Sequence, residues 1–382
     1  MNEISSRERV RKALNYEEAD RVPIDVGGAV CALTEEAYMD LAKHLGMDVE
    51  IDIYDYYQRL PWIDEKILDM LHADTRYFVS GAESNYEFKI EPDGSFMDEW
   101  GCKHTLVGNY GDVAADGHAL AKLSISDLDH YPFPDPEDPA RFKGLRDKVK
   151  KMYDDTDYAL MPINMGSIYW MGTELVGLER YSEYIITNQK FIIKLADILL
   201  DWYKKYFNKL LDEVGEYIEM VWLFGDDWGI QTGPVINPEQ YRKIYKGRSK
   251  ELVDFVKART DAKICAHVCG SVYWAMEDFI EIGIEVLNPV QVSAKDMETD
   301  RLKKEFGDRM VFWGGGCDPQ NVLPFGSEED VRREVKKRIH DLGPGGGFVF
   351  AAVHNIQKGV PPQNILTLFN AAAEYGKYPI KV

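Results

Sequence analysis

Basic residues are in the minority: 45 Lys and Arg stand against 65 Asp and Glu, a formal charge of −20. A field of that sign repels a phosphate backbone, which excludes nucleic acid as a partner. Cysteine is scarce, five in 382 residues. An odd and small number builds no disulfide framework, so these are thiols free to pack, attack or ligate a metal. No apolar run is long enough to cross a bilayer. The opening Met1-Asn2-Glu3-Ile4-Ser5-Ser6-Arg7-Glu8-Arg9 is charged where a secretion signal needs an apolar stretch, so a cytoplasmic protein with no membrane partner is expected. There is no internal repeat, no low-complexity tract and no Gly/Ser linker to divide the chain. Nor does any strand candidate lead into G-x-G-x-x-G, the phosphate cradle of a doubly wound sheet.

With 45% hydrophobic and 29% charged residues the chain has the composition of a globular protein. From about residue 155 short β-rich runs alternate with longer helical patterns, the signature of βαβ units. The expected strands are Ala159–Met165, Tyr217–Phe224, Ala262–Val268, Glu285–Val290, Met310–Trp313 and Gly347–Val353, with Arg21–Asp25 and Arg76–Ser80 supplying two more. Eight such units close into a (β/α)8 TIM barrel, here one domain over residues 1–382. Tyr86–Val107 breaks the alternation and reads as an inserted β-hairpin turning at Asp93-Gly94. Between the units, Asn237-Pro238 and Ser327-Glu328-Glu329-Asp330 have the chemistry of helix starts.

In a barrel the chemistry sits where strands end, and Ala262-Lys263-Ile264-Cys265-Ala266-His267-Val268-Cys269-Gly270 ends one of them. Residues two apart share a face, so His267 and Cys269 can grip one ion from the same side, with Cys265 deeper in the strand. Zinc suits mixed nitrogen and sulfur ligands. Cys317, after Met310–Trp313 and three glycines, is the expected third metal ligand. His354, after the last strand, is read as a proton donor or a further ligand. The acid pair Asp226-Asp227 follows another strand; Asp227 is expected to act as an acid, as a hydrogen-bond partner that orients a ligand residue, or as a ligand itself. Tyr169, Trp170, Trp228, Gln231 and Trp274, near strand ends, are the expected substrate-binding residues, the aromatics suiting a methoxylated ring or a quaternary ammonium.

Several stretches together resemble the uroporphyrinogen decarboxylase superfamily, and within it the corrinoid-dependent methyltransferases. They are Arg7–Leu14 with Asp20-Arg21-Val22-Pro23, Gly225-Asp226-Asp227-Trp228-Gly229 with Pro238-Glu239-Gln240-Tyr241, His267-Val268-Cys269-Gly270, and His354-Asn355-Ile356-Gln357 with Pro361–Ile365. The resemblance implies the barrel. It also implies zinc on His267, Cys269 and a third ligand, Cys317, His354 or both, and a methyl group passed from a small methoxylated or methylated donor to cobalamin. The true decarboxylases carry an arginine-bearing segment after Arg-x-Pro, whereas here Ile24-Asp25-Val26-Gly27-Gly28-Ala29-Val30-Cys31 has none, so decarboxylation of a polycarboxylate is not expected. Transfer from methylcobalamin to a thiol and a metal-free decarboxylase or lyase are the alternatives. Asp116-Gly117-His118-Ala119-Leu120-Ala121 lacks the final glycine of D-x-H-x-x-G, so the cobalamin is expected on a separate corrinoid protein.

Overall fold

The computed structural model describes residues 4–107 and 110–380. Five parallel strands pair in the order Met220–Gly225, Lys263–His267, Val286–Asn288, Val311–Trp313 and Phe348–Val349. Thr75–Phe78 pairs in parallel with Ala159–Pro162. Three seams close the ring. The Glu219 N–H donates to the Leu160 carbonyl, the Asp74 N–H to the Ile24 carbonyl, and Ile24 forms a parallel bridge to Phe350. The eight segments expected from the alternation therefore make a (β/α)8 barrel, although several are shorter than the apolar runs that announced them.

Side-chain alternation sorts each strand between two cores. Met220, Trp222, Cys265, Val286, Val311, Trp313 and Val349 pack inside the ring, while Val221, Leu223, Ile264, Ala266, Leu287 and Phe312 face the helices. The Trp222 and Trp313 rings meet edge to face inside, centroids 6.3 Å apart, which makes the interior a packed core and not a channel. Outside, the 26-residue helix Gln189–Val214 lays its apolar stripe on the wall, burying Phe191, Leu195, Leu199, Tyr203, Phe207 and Leu210 among others. Ser327 and Asp330 form a reciprocal capping box at the start of Glu328–Leu342, and the Asn237 side chain caps Pro238–Tyr241. Among the described residues no helix is long and apolar enough to cross a membrane.

Asp93-Gly94 does turn the chain, with Ile90 bridged to Phe96, Gly94 at φ +83° and the Asp93 carboxylate accepting the Ser95 N–H and O–H. The excursion is larger than a hairpin: Phe96–Met97, Lys103–Val107 and Tyr110–Val113 form a three-stranded antiparallel sheet that runs past residue 107. It is tied to a second excursion, Ile53–Asp55 with Leu60–Pro61, through the Gly111 N–H on the Tyr57 carbonyl. That second excursion leans over the C-terminal end of the barrel, where the Gln58 amide bonds the Ala29 carbonyl and accepts from Asn355.

Candidate metal centre at the barrel mouth

Strand Lys263–His267 points Cys265 into the closed interior and His267, two residues later, to the top of that interior. The chain then bends at Gly270, φ +87°, where a Cβ would lie 2.3 Å from the Gly229 carbonyl carbon. Gly229 is equally bare, since its Cβ would come 2.7 Å from the Cys269 carbonyl oxygen. Two loops thus meet backbone to backbone, and Cys269 is held beside His267 with Sγ 3.4 Å from Nε2. His354, after the last strand, completes the group: the ligating atoms of His267, Cys269 and His354 all lie within 4.8 Å of one another, and the two imidazoles stand at 66°.

The electrostatics suit a cation. Burial pulls His267 down to about 4, against the opposing hydrogen bond to the Asn288 side-chain oxygen. Burial, then the neighbouring His267, pulls His354 to about 4, with Asp227 opposing. Both rings are neutral near pH 7 and offer lone pairs. The Cys269 thiol is pushed well up by burial and then by Asp227, so only a cation brought against the sulfur would favour the thiolate. Asp227 accepts the Cys269 N–H at 2.7 Å, and burial raises its carboxyl while His354 and the hydrogen bonds from Cys269 oppose the rise. Two neutral nitrogens, one sulfur and a nearby carboxylate are the donor chemistry of a zinc site with an open position. The 3.4 Å between Sγ and Nε2 agrees with the ~3.5 Å that two such ligands keep on one tetrahedral ion.

Cys317 is not part of this group. Gly314 and Gly315 take φ of +91° and +84° directly after strand Val311–Trp313, which ends the alternation and carries the chain to the outer side of the wall. Cys317 is buried there in the helix-facing core, where burial and then Glu334 and Asp318 raise its thiol. His354 occupies the place the sequence reading gave first to Cys317.

The acid pair divides its work. Asp226 is buried and accepts the Ser167 hydroxyl at 2.6 Å and the N–H groups of Tyr169 and Trp170 at 3.0 and 2.9 Å, anchoring the start of helix Tyr169–Val176. Asp227 alone turns to Cys269 and His354. Of the aromatics, Tyr169 is buried against Trp228, Tyr181 and Tyr245, and Trp228 lies between Tyr169, Tyr241 and Tyr245. Both rings are buried in this aromatic cluster, with the Tyr169 hydroxyl unpartnered. Trp170 is half-buried, and half-buried Trp274 packs edge-on to Tyr241 with its indole N–H unpartnered. Gln231 is exposed and links two neighbouring loops, accepting from Gln291 and donating to Gln320. Tyr57 is raised by burial and then by the nearby Glu174, Asp112, Asp55 and Asp227.

Sequence reasoning missed Asn288, whose side chain bonds His267, and Cys31, which enters the barrel beside Asp25. The available signal was one amide in the apolar run Val286-Leu287-Asn288-Pro289-Val290.

A family model described as uroporphyrinogen decarboxylase (URO-D) matches residues 115–375. A uroporphyrinogen decarboxylase of Alkalilimnicola ehrlichii is 23% identical over 65% of this chain and 66% of its own length. Another, of Pseudoalteromonas atlantica, is 22% identical over 66% of this chain and 69% of its own. The alignments thus span about two thirds of these relatives. Among solved structures, a methyltransferase from Methanosarcina mazei superposes with a TM-score of 0.65 at 16% identity, covering 98% of this chain and 99% of that one.

Proposed function

Given that the chain belongs to the uroporphyrinogen decarboxylase family, we propose that it is a zinc-dependent methyltransferase, taking a methyl group from a small methoxylated or methylated compound for the cobalamin of a separate corrinoid protein. The observation that carries this reading is the convergence of His267, Cys269 and His354 within 4.8 Å at the barrel mouth. Zinc held by His267, Cys269 and His354 would supply Lewis acidity toward the heteroatom that the methyl group leaves. The chain's own part is to present two neutral imidazoles and one sulfur, to hold the Cys269 backbone on Asp227, and to keep that carboxylate where it can take up the thiol proton when the metal site forms. The whole-chain likeness to a methyltransferase structure is of fold, and is compatible with this reading.

A second reading takes support from the names of the curated relatives and from the pairing of Asp227 with His354 as acid and base: a metal-free decarboxylase or lyase. Against a polyanionic substrate, the segment Ile24–Cys31 turns back into the barrel through Gly27 and Cys31 and carries no cation, while Arg21 is committed to Asp74. The deciding experiment measures zinc in protein purified without chelator and methyl transfer from candidate donors to a Co(I) corrinoid acceptor. Stoichiometric zinc, lost in His267→Ala, Cys269→Ala and His354→Ala, together with transfer, supports the first reading. Decarboxylase or lyase activity from a zinc-free preparation that takes up none on addition sinks it.

A further inference from the structure

The ring of His267 has two nitrogens, and only one of them faces Cys269 and His354. Which nitrogen carries the proton therefore decides whether that face offers a lone pair. Nδ1 lies 2.6 Å from Asn288 Oδ1, and the two residues are register partners on adjacent parallel strands. An amide can be turned over, placing nitrogen where oxygen was, so its orientation needs an independent reason. Trp313 supplies it: the Asn288 Nδ2 donates to the Trp313 carbonyl at 3.0 Å. A carbonyl only accepts, so the reversed amide would set two oxygens against each other in a site from which water is excluded, Asn288 and Trp313 both being 0% exposed. The same Nδ2 points at Cys31 Sγ at 3.5 Å.

Both groups that orient the amide are themselves held. The Trp313 indole N–H donates to Asp25 Oδ2 at 2.7 Å, and the Cys31 thiol also hydrogen-bonds the Asp25 carboxylate. Asp25 is 0% exposed and takes further bonds from the Thr75 hydroxyl at 2.5 Å and the Tyr77 hydroxyl at 2.9 Å. Polarity therefore runs one way, from a fully donated carboxylate, through Cys31 and Trp313, to an amide whose oxygen is left for His267.

We infer that Asn288 is a positioning residue that fixes His267 in its Nδ1–H tautomer before any metal binds, and that Asp25 holds the two groups that set the Asn288 amide. This rests on the metal reading above only for its consequence, the bare Nε2 presented to an ion. It says nothing about the donor.

The test has two parts that fail separately. In metal-free protein labelled with 15N-histidine, the His267 resonances, assigned by their loss in His267→Asn, report which nitrogen is protonated; a protonated Nδ1 and a bare Nε2 are expected. Asn288→Leu removes the acceptor, and zinc affinity, read by chelator competition on protein that retains native circular dichroism, is expected to fall about 10- to 100-fold. Asn288→Asp keeps an acceptor toward Nδ1 and, with its other oxygen protonated in the buried site and donating to the Trp313 carbonyl as the amide does, is expected to recover affinity to within about threefold of native, a rescue that a merely space-filling role would not produce. A native His267 protonated at Nε2 overturns the inference, and so does an Asn288→Leu protein with unchanged tautomer and unchanged zinc affinity. Should Asn288→Leu fail to fold, the native tautomer together with the Asn288→Asp affinity still decides. A native protein with the expected tautomer that binds no zinc would refute the metal reading and leave the positioning role standing.

Discussion

The contact between the two glycine loops can be tested against a matched control. Gly270 and Gly345 both have positive φ, +87° and +76°, so alanine at either position pays for a left-handed backbone, roughly 1–2 kcal/mol. Only at Gly270 does the added carbon meet anything: 2.3 Å to the Gly229 carbonyl carbon, 2.5 Å to its oxygen and 2.7 Å to the Ile230 nitrogen, all backbone, whereas at Gly345 nothing lies within 4 Å. Backbone gives way less easily than a side chain, and overpacking of this kind costs a further ~1–3 kcal/mol. Gly270→Ala is therefore expected to be less stable than Gly345→Ala by about that difference in urea denaturation. Relief requires the Cys269-Gly270 loop to move by an ångström or so, and Cys269 Sγ moves with it. Zinc affinity should then fall at least about tenfold in Gly270→Ala and stay at the native value in Gly345→Ala. Equal denaturation midpoints and equal zinc affinities in the two variants would refute the argument that these loops position the thiol.

His354→Ala should lose stoichiometric zinc while Cys317→Ala keeps it and loses only about 1 kcal/mol of stability for its buried sulfur, as read by metal analysis and denaturation. Asp226→Ala should destabilise by about 2–4 kcal/mol, because it leaves the first N–H groups of helix Tyr169–Val176 without their acceptor, whereas Asp227→Ala should change metal uptake more than the unfolding midpoint. Metal-free protein should weaken in acid. With His267 near 4 when folded and near 6.5 when unfolded, the unfolded chain binds the extra proton between those values, so the contribution is complete above about pH 6.5 and lost as pH falls through 4. Its size is on the order of 3 kcal/mol, and the slope of unfolding free energy against pH should flatten in His267→Asn.

The barrel was legible because its signal is repeated. Eight apolar runs with helical patterns between them say the same thing many times, and the ring closes even though Ile24 contributes only a bridge and Phe348–Val349 only two residues. The inserted sheet was half legible: Asp93-Gly94 is a local turn signal, but the pairing of Lys103–Val107 with Tyr110–Val113 depends on contacts between excursions distant in sequence. Within the site, His267 and Cys269 could be read from period-two alternation because the strand runs straight to its end. Alternation fails at Cys317, since two successive left-handed glycines reverse the side-chain count, and φ is not written in a run of three glycines.

The residues that were invisible share a cause. Asp25 and Cys31 lie on one segment and Asn288 on another far along the chain, and each alone has an ordinary explanation as a polar or small residue in a strand or turn. Their meaning comes from closure of the ring, which puts Ile24 beside Phe350 and the residues around it next to strands more than 250 positions away. The aromatic residues raise a different question. Tyr169 and Trp228 stand near strand ends in sequence and are buried against each other, because a strand-end position does not determine how much of a ring stays open to a ligand. A metal ligand carries a stricter condition, since it must converge with two others on one point. Applied to the folded chain as a proposed metal site, that condition favours His354 over Cys317, so convergence is the better guide to this mouth than residue type.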